Sequence, residues 1–225
     1  MAARLLEPEW FDELPPQDPR AVRSRADLRR VNWVMANARV LSRALAGIAR
    51  GARIVDLGSG DGSLMLGVAR ALRRPGMELT LVDRAPIVPE ATLAAFAELG
   101  WQARVAASDA LEFIAHERQD VIVANLFLHH LDDASLERLF ALAAERSRAL
   151  AACEPQRSAF ALAASRLLWF IGCNDVTRHD AVVSVRAGFR GDELSRLWPR
   201  SADWQLIERT ALPFSHLFVA RRNAS

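Results

Sequence analysis

Residues 54–66, IVDLGSGDGSLML, bring an apolar strand-like run and a carboxylate up to Gly58, Gly60 and Gly62, which are separated by single residues. Few features restrict a fold as much as this one. Glycine admits positive φ and leaves the backbone open where a Cβ would stand. The helical pattern that follows turns its first N–H groups toward the same edge. Together they predict a ligand at the carboxyl end of a buried strand. The rest of the chain extends the pattern: ARIVDLG, MELTLVD, WQARVAAS, DVIVANLF and ALAACEP alternate with longer helix-like runs. Such alternation predicts a parallel sheet covered on both faces. The last two strand-like runs, WQLIERTAL and HLFVARR, are joined only through Pro213, Phe214 and Ser215. So short a link cannot hold a helical crossover, so that pair must be antiparallel. The expected fold is a Rossmann-like, doubly wound α/β sheet, mostly parallel with an antiparallel final strand. Apolar positions at helical spacing from Val31 to Leu45 predict an N-terminal helical lid over residues 1–49, ahead of one domain over residues 50–225. An irregular, acceptor-binding insertion is expected around residues 172–190.

Charge and composition exclude several classes of function. The 29 basic residues, all arginine, exceed the 27 acidic ones by two, so the high isoelectric point reflects a small surplus. The one basic stretch, RAVRSRADLRR, has the spacing of a solvated helix face, and no basic segment interleaves aromatics, so no nucleic-acid partner is expected. The apolar run SAFALAASRLLWFIG is cut by Arg166 and is too short to cross a bilayer. An acidic N-terminus and two cysteines, Cys153 and Cys173, predict a cytoplasmic protein with reduced thiols. A small-molecule acceptor is the expected partner, and a homodimer is left open.

The glycine spacing also says which ligand to expect. A dinucleotide turn wants G-x-G-x-x-G, whereas Ser63 stands where its third glycine would be. Asp56, two residues before Gly58, would repel a phosphate and attract an ammonium group. On these residues the chain resembles the class I S-adenosylmethionine-dependent methyltransferases, whose first motif DLGSGDG matches. The resemblance implies that Asp56, Gly58, Ser59, Gly60 and Gly62 hold the methionine end of S-adenosylmethionine. It further implies that Asp83, with Arg84 beside it, receives the ribose hydroxyls. Asp109 and Ala110 would read the adenine, and Asn125 and Leu126 would contact the methionine moiety. The plain structural alternative for Asp83 and Asp109 is capping of a helix.

For the methyl acceptor, the resemblance argues by departure from other members. Amino methyltransferases of this fold carry N/D-P-P-Y/F/W after the fourth strand, and here the segment reads NLFLHH, without proline. Metal-dependent catechol-type enzymes need clustered acids, and only Glu154 follows the fifth strand, so no metal is expected. What remains is similar to small-molecule methyltransferases of quinone and polyketide biosynthesis. The implied reaction is O-methylation of a small aromatic or polyketide-like metabolite. The alternatives are C-methylation of a quinol-type ring or a catalytically inactive cofactor-binding subunit. His129, His130 and His179 are the candidate bases, because imidazole titrates near neutral pH. His179 and Asp180 would diverge in an extended chain and form no dyad, and His216 is expected to be structural.

Overall fold

The computed structural model describes residues 3–223 other than 16, 212 and 213. The chain opens with helices α1 (Trp10–Glu13), α2 (Pro19–Val34) and α3 (Asn37–Ala44). Then β1 (Arg53–Leu57), α4 (Ser63–Leu72), β2 (Glu78–Asp83), α5 (Glu90–Glu98), β3 (Gln102–Ala107), α6 (Ala110–His116) and β4 (Val121–Asn125) alternate. A 3-10 turn at Leu128–His130 leads into α7 (Asp133–Arg146) and β5 (Ala149–Pro155). After α8 (Ala159–Ser165), α9 (Asp175–Ala187) and α10 (Glu193–Leu197), the strands β6 (Trp204–Ala211) and β7 (Ser215–Arg222) close the chain.

The sheet runs β3-β2-β1-β4-β5-β7-β6. Pairings from β3 through β5 are parallel, and β7 runs against both β5 and β6. This is the expected doubly wound fold with a reversed final strand. Pro213 of the short β6–β7 link lies outside the described residues.

Period-two alternation along β1 sends its side chains to two cores. Ile54 faces the layer that holds Leu41, Met65 and Phe96. Val55 and Leu57 face the layer built on Phe113, Leu139, Phe140 and Trp198. Strand order reverses at β1, where chains leave toward β2 on one side and β4 on the other. That divergence opens a crevice at the carboxyl edge, the usual place for a ligand in this architecture.

The structure divides the expected lid. Val40, Leu41 and Leu45, in or just after α3, are buried in the core, so this part packs as a layer of the domain. Residues before α3 lie across the carboxyl edge. The expected irregular insertion is a regular helix, α9, over residues 175–187. Asn174 caps it by accepting from the Thr177 N–H at 2.8 Å, and buried Val176, Val183 and Val185 supply an apolar face that outweighs the low helix propensity of a valine-rich segment.

Asp27 ties α2 to α9. Its fully buried carboxylate accepts from the Asn174 N–H at 2.7 Å and the Thr177 hydroxyl at 3.2 Å, and pairs with the half-exposed Arg30. Replacing Asp27 with Ala should therefore cost about 2–3 kcal/mol of stability, with Asp27→Asn recovering part of it. Urea denaturation at unchanged m-value measures this. A loss below about 0.5 kcal/mol would show that apolar packing alone holds the two helices together.

Candidate active site

The glycine turn lies at the head of the crevice. Gly58, Gly60 and Gly62 adopt φ of +69°, +53° and +74°. A Cβ on Gly58 would stand 2.6 Å from Cδ2 of Phe127, so no other residue fits there. The turn is pinned from β2: Gly58 and Ser59 donate to the Val82 carbonyl, and Gly60 N–H donates to Asp83 Oδ2 at 3.0 Å. Asp83 Oδ1 accepts from Ala85 N–H at 3.0 Å, and no helix begins there, so the carboxylate is not a helix cap. Each oxygen keeps a lone pair for a further donor.

Asp56 is buried at the end of β1 and faces the same crevice. Among the described residues no donor reaches its carboxylate. Burial, and secondarily the Asp83 carboxylate, push its pKa up to about 8. Ser59 Oγ is likewise buried without a hydrogen-bond partner. An acid without a cation and a hydroxyl without a partner thus face the same cleft.

Asp56, Gly58, Ser59, Gly60, Asp83, Arg84, Asp109, Ala110, Asn125 and Leu126, expected from sequence to meet one ligand, all line one cleft of about 840 Å³. Gly62 does not line it. Its missing side chain instead makes room for Leu81 and Thr92, which would lie 3.1 and 3.3 Å from a Cβ. Asp109 caps α6, accepting from Leu111 and Glu112 N–H at 2.9 and 3.2 Å, and its other oxygen takes the Arg84 guanidinium at 2.6 Å. Arg84 is the main reason its carboxyl stays below the usual range. Asn125 is held by the N-terminal helices: Asn32, Asn37 and Asn125 bond one another at 2.9–3.0 Å.

Leu126 takes a left-handed φ of +50°, a strained backbone for a branched residue. The turn presents the next amides to Glu154, which is fully buried at the end of β5. Glu154 accepts from Phe127 and Leu128 N–H at 3.0 and 2.9 Å, and its other oxygen lies 2.8 Å from His129 Nδ1. Glu9 Oε1 lies 3.5 Å from His129 Nε2, yet that nitrogen has no hydrogen-bond partner. Burial disfavours the charged ring, but the hydrogen bond to Glu154 and the nearby Glu9 outweigh it and raise its pKa to about 9. Of the three histidines expected as candidate bases, His129 is thus the one held between two carboxylates, which favour its charged form.

Exposed His130 stacks obliquely on His129, with ring centroids 4.2 Å apart, and lines the same cleft. His179 lines no part of it. That ring stacks on Trp10 at 3.8 Å, and its Nδ1 lies 3.0 Å from Asp180 Oδ1, so the adjacent pair does interact, because the segment is helical rather than extended. Asp180 also accepts from Trp10 and Phe11 N–H, fastening α1 to α9. His216 is buried between Gln156 and Glu208, a structural position as expected.

Sequence reasoning missed Glu9 and Asn37 and undervalued Glu154. A lone acid closing the apolar run ALAACEP is a signal, since a buried carboxylate requires donors. Glu9 is one of several acids in its segment, and nothing local distinguishes it.

A second, apolar pocket of about 260 Å³ lies between α2, α8 and α9. Glu9, Phe11, Leu28, Leu126 and Ser184 line both cavities, so the two meet at this point.

Residues 54–150 match the family described as "Methyltransferase domain". A search of curated proteins finds no match. Among solved structures, the chain is similar to an O-methyltransferase family protein from Burkholderia thailandensis (18% identity, 93% of this chain and 63% of that one, TM-score 0.60). It is also similar to the pyocyanin biosynthetic protein PhzM (20%, 96% and 62%, 0.61). A third is the plantazolicin methyltransferase BpumL, solved in complex with SAH (15%, 92% and 92%, 0.65). The chain thus spans under two thirds of the first two structures' length. The match to a methyltransferase domain thus covers residues 54–150, and the fold of the whole chain is the one shared with these methyltransferase structures.

Proposed function

We propose that the chain moves a methyl group from S-adenosylmethionine to a hydroxyl of a small aromatic or polyketide-like metabolite. The observation that carries this reading is the union of two cavities. The first is a polar cleft with an uncompensated acid, an orphan hydroxyl and a second carboxylate at the end of the adjacent strand. The second is an apolar pocket opening beside it. In the cleft, Asp56 would pair with the cofactor's ammonium group, Asp83 with the ribose hydroxyls, and Asp109 and Ala110 with the adenine. Asn125 and Leu126 would border the methionine chain. The cofactor supplies a methyl group already activated on a sulfonium. The chain's task is to align an acceptor oxygen with it and receive the oxygen's proton. The apolar pocket would hold the acceptor's ring and bring its oxygen to the junction that Glu9 lines, where the cluster of Glu9, His129 and His130 would promote loss of its proton. His179, turned against Trp10, is assigned the role of fastening α1. Similarity to an O-methyltransferase family protein favours oxygen over ring carbon. A cofactor-binding subunit without catalysis would have no use for the apolar pocket. The screen that tests the reading is a panel of phenols, quinols and hydroxylated polyketides with labelled cofactor. Label found on carbon, or on none of them, would overturn it.

The cofactor product should bind in the free protein. Asp83→Ala removes charge-assisted hydrogen bonds and should weaken binding by roughly 1.5–3 kcal/mol by calorimetry. Unchanged affinity would mean that Asp83 does not touch the ribose.

Binding should also be pH dependent, with a sign set by Asp56. The acid is largely neutral below about 8 and must ionise to pair with an ammonium group. Affinity should therefore fall as pH drops below 8, by up to about tenfold per unit, and fall again above 8 as the ligand's own α-amino group loses its proton. Asp56→Asn should remove the acidic limb. In the free protein that variant should be more stable at pH 8 than at pH 4 relative to wild type, because the raised folded pKa makes wild-type stability drain away as pH rises from about 4 toward 8. A flat affinity profile would show that the ammonium group lies elsewhere.

Residues 3–34 are proposed as the part of the N-terminal region that closes over the ligands. Hydrogen exchange should show their amides protected on adding cofactor product, with residues 37–45 equally protected in both states. Identical exchange throughout would make the whole segment a fixed layer.

A further inference from the structure

The gap between His129 and Glu9 has the geometry of a metal site. Glu154 accepts the Nδ1 hydrogen of His129, which fixes the ring and aims Nε2 away from β5. Nε2 is buried, has no hydrogen-bond partner, and faces Glu9 Oε1 at 3.5 Å. A hydrogen bond would bring these atoms to about 2.7–3.2 Å. By contrast, a nitrogen and an oxygen each about 2.0–2.1 Å from one tetrahedral ion stand about 3.3 Å apart. One ligand atom from each of Glu9, His129 and His130 lies within 4.8 Å of the others. His130, exposed on the cleft, supplies the third of these atoms.

The surroundings match those of bound metals. A carboxylate on the far nitrogen of a ligating histidine fixes its tautomer and raises its basicity, and Glu154 stands in that place. The Ser184 hydroxyl donates to the same Glu9 oxygen that faces Nε2, orienting the carboxylate. Two imidazoles and one carboxylate are a borderline donor set, suited to zinc or cobalt rather than to magnesium or calcium.

We propose that Glu9, His129 and His130 bind one divalent ion of the zinc class, which displaces the Nε2 proton of His129 into solvent, with a fourth position open to the cleft that all three line. Three protein ligands and one open position distinguish a reactive zinc from a structural one. An acceptor oxygen bound there would lose its proton more readily. This assigns a metal to a chain whose sequence, lacking an acid cluster after β5, predicts none. The ligands come from the N-terminal segment and the β4–α7 turn instead.

The test is calorimetric titration of the tag-free, chelator-treated chain with zinc, repeated with cobalt while visible absorption is followed. One equivalent should bind, and cobalt should show the intense bands of low coordination number. Glu9→Gln and His130→Ala should each abolish or severely weaken binding. Ser184→Ala should weaken it by roughly 10- to 100-fold, as loss of an orienting partner does. Circular dichroism checks that the variants fold, and the two ligand positions outside the buried core keep the test independent of His129. Absence of binding by the wild type, or wild-type binding in both ligand variants, would overturn the site. Cofactor-product affinity measured on the same samples is a separate readout: its absence would sink the methyl-transfer reading and leave the metal site standing.

Discussion

Glu154 organises the carboxyl edge of the sheet. A carboxylate with no exposure to water needs donors close at hand, or its desolvation would cost several kcal/mol. The chain meets that need by turning left-handed at Leu126, so that the next backbone amides converge on Glu154 together with the ring of His129. From this one requirement follow the direction of the His129 ring, the position of His130 beside it and the point on the cleft wall where Glu9 can dock. Strain at Leu126 persists because the surrounding bonds over-determine it.

Asp56 shows the opposite policy. It is buried like its neighbours on β1, yet no donor among the described residues serves it. An acid left in that condition lowers the stability of the free protein and raises its readiness for a cation. Ser59, with a buried hydroxyl lacking a partner, repeats the pattern one turn away. Residues that break the rule of satisfied polar groups mark the place where a ligand completes the structure. Asp56 and Ser59 both stand on or beside the glycine turn, whereas Asp27 and His216 are engaged by hydrogen bonds.

The N-terminal region connects the two halves of the site. Asn32 and Asn37 reach Asn125 at the end of β4, and Asn37 also accepts from Ser215 on β7. Arg29 pairs with Asp61 in the glycine turn, and Arg4 donates to the carbonyls of Leu131, just after the histidine turn, and Ala187, at the end of α9, and to Asp133. A segment fastened to both the glycine turn and the acid–histidine cluster can pass the state of one to the other, since any movement of α2 must break bonds at each end.

What the sequence determined is whatever depends on neighbours along the chain. The period of apolar residues specified the strands and helices, the link after β6 specified the reversed strand, and the glycine spacing with Asp56 specified the ligand edge. That Asp83, Asp109 and Asn125 reach one edge was legible because each stands at or just past the end of a strand, and parallel strands deliver their ends to one edge. The tertiary structure decided the rest. Helix α9 was masked by valines that favour strands in isolation and form a helix here because α2 and β5 bury them. The role of His129 could not be read from NLFLHH, since its charge is set by Glu9 and Glu154, which lie far away along the chain. A side chain's protonation and its partners are properties of the space around it, and that space is assembled only when the N-terminal segment crosses the sheet edge.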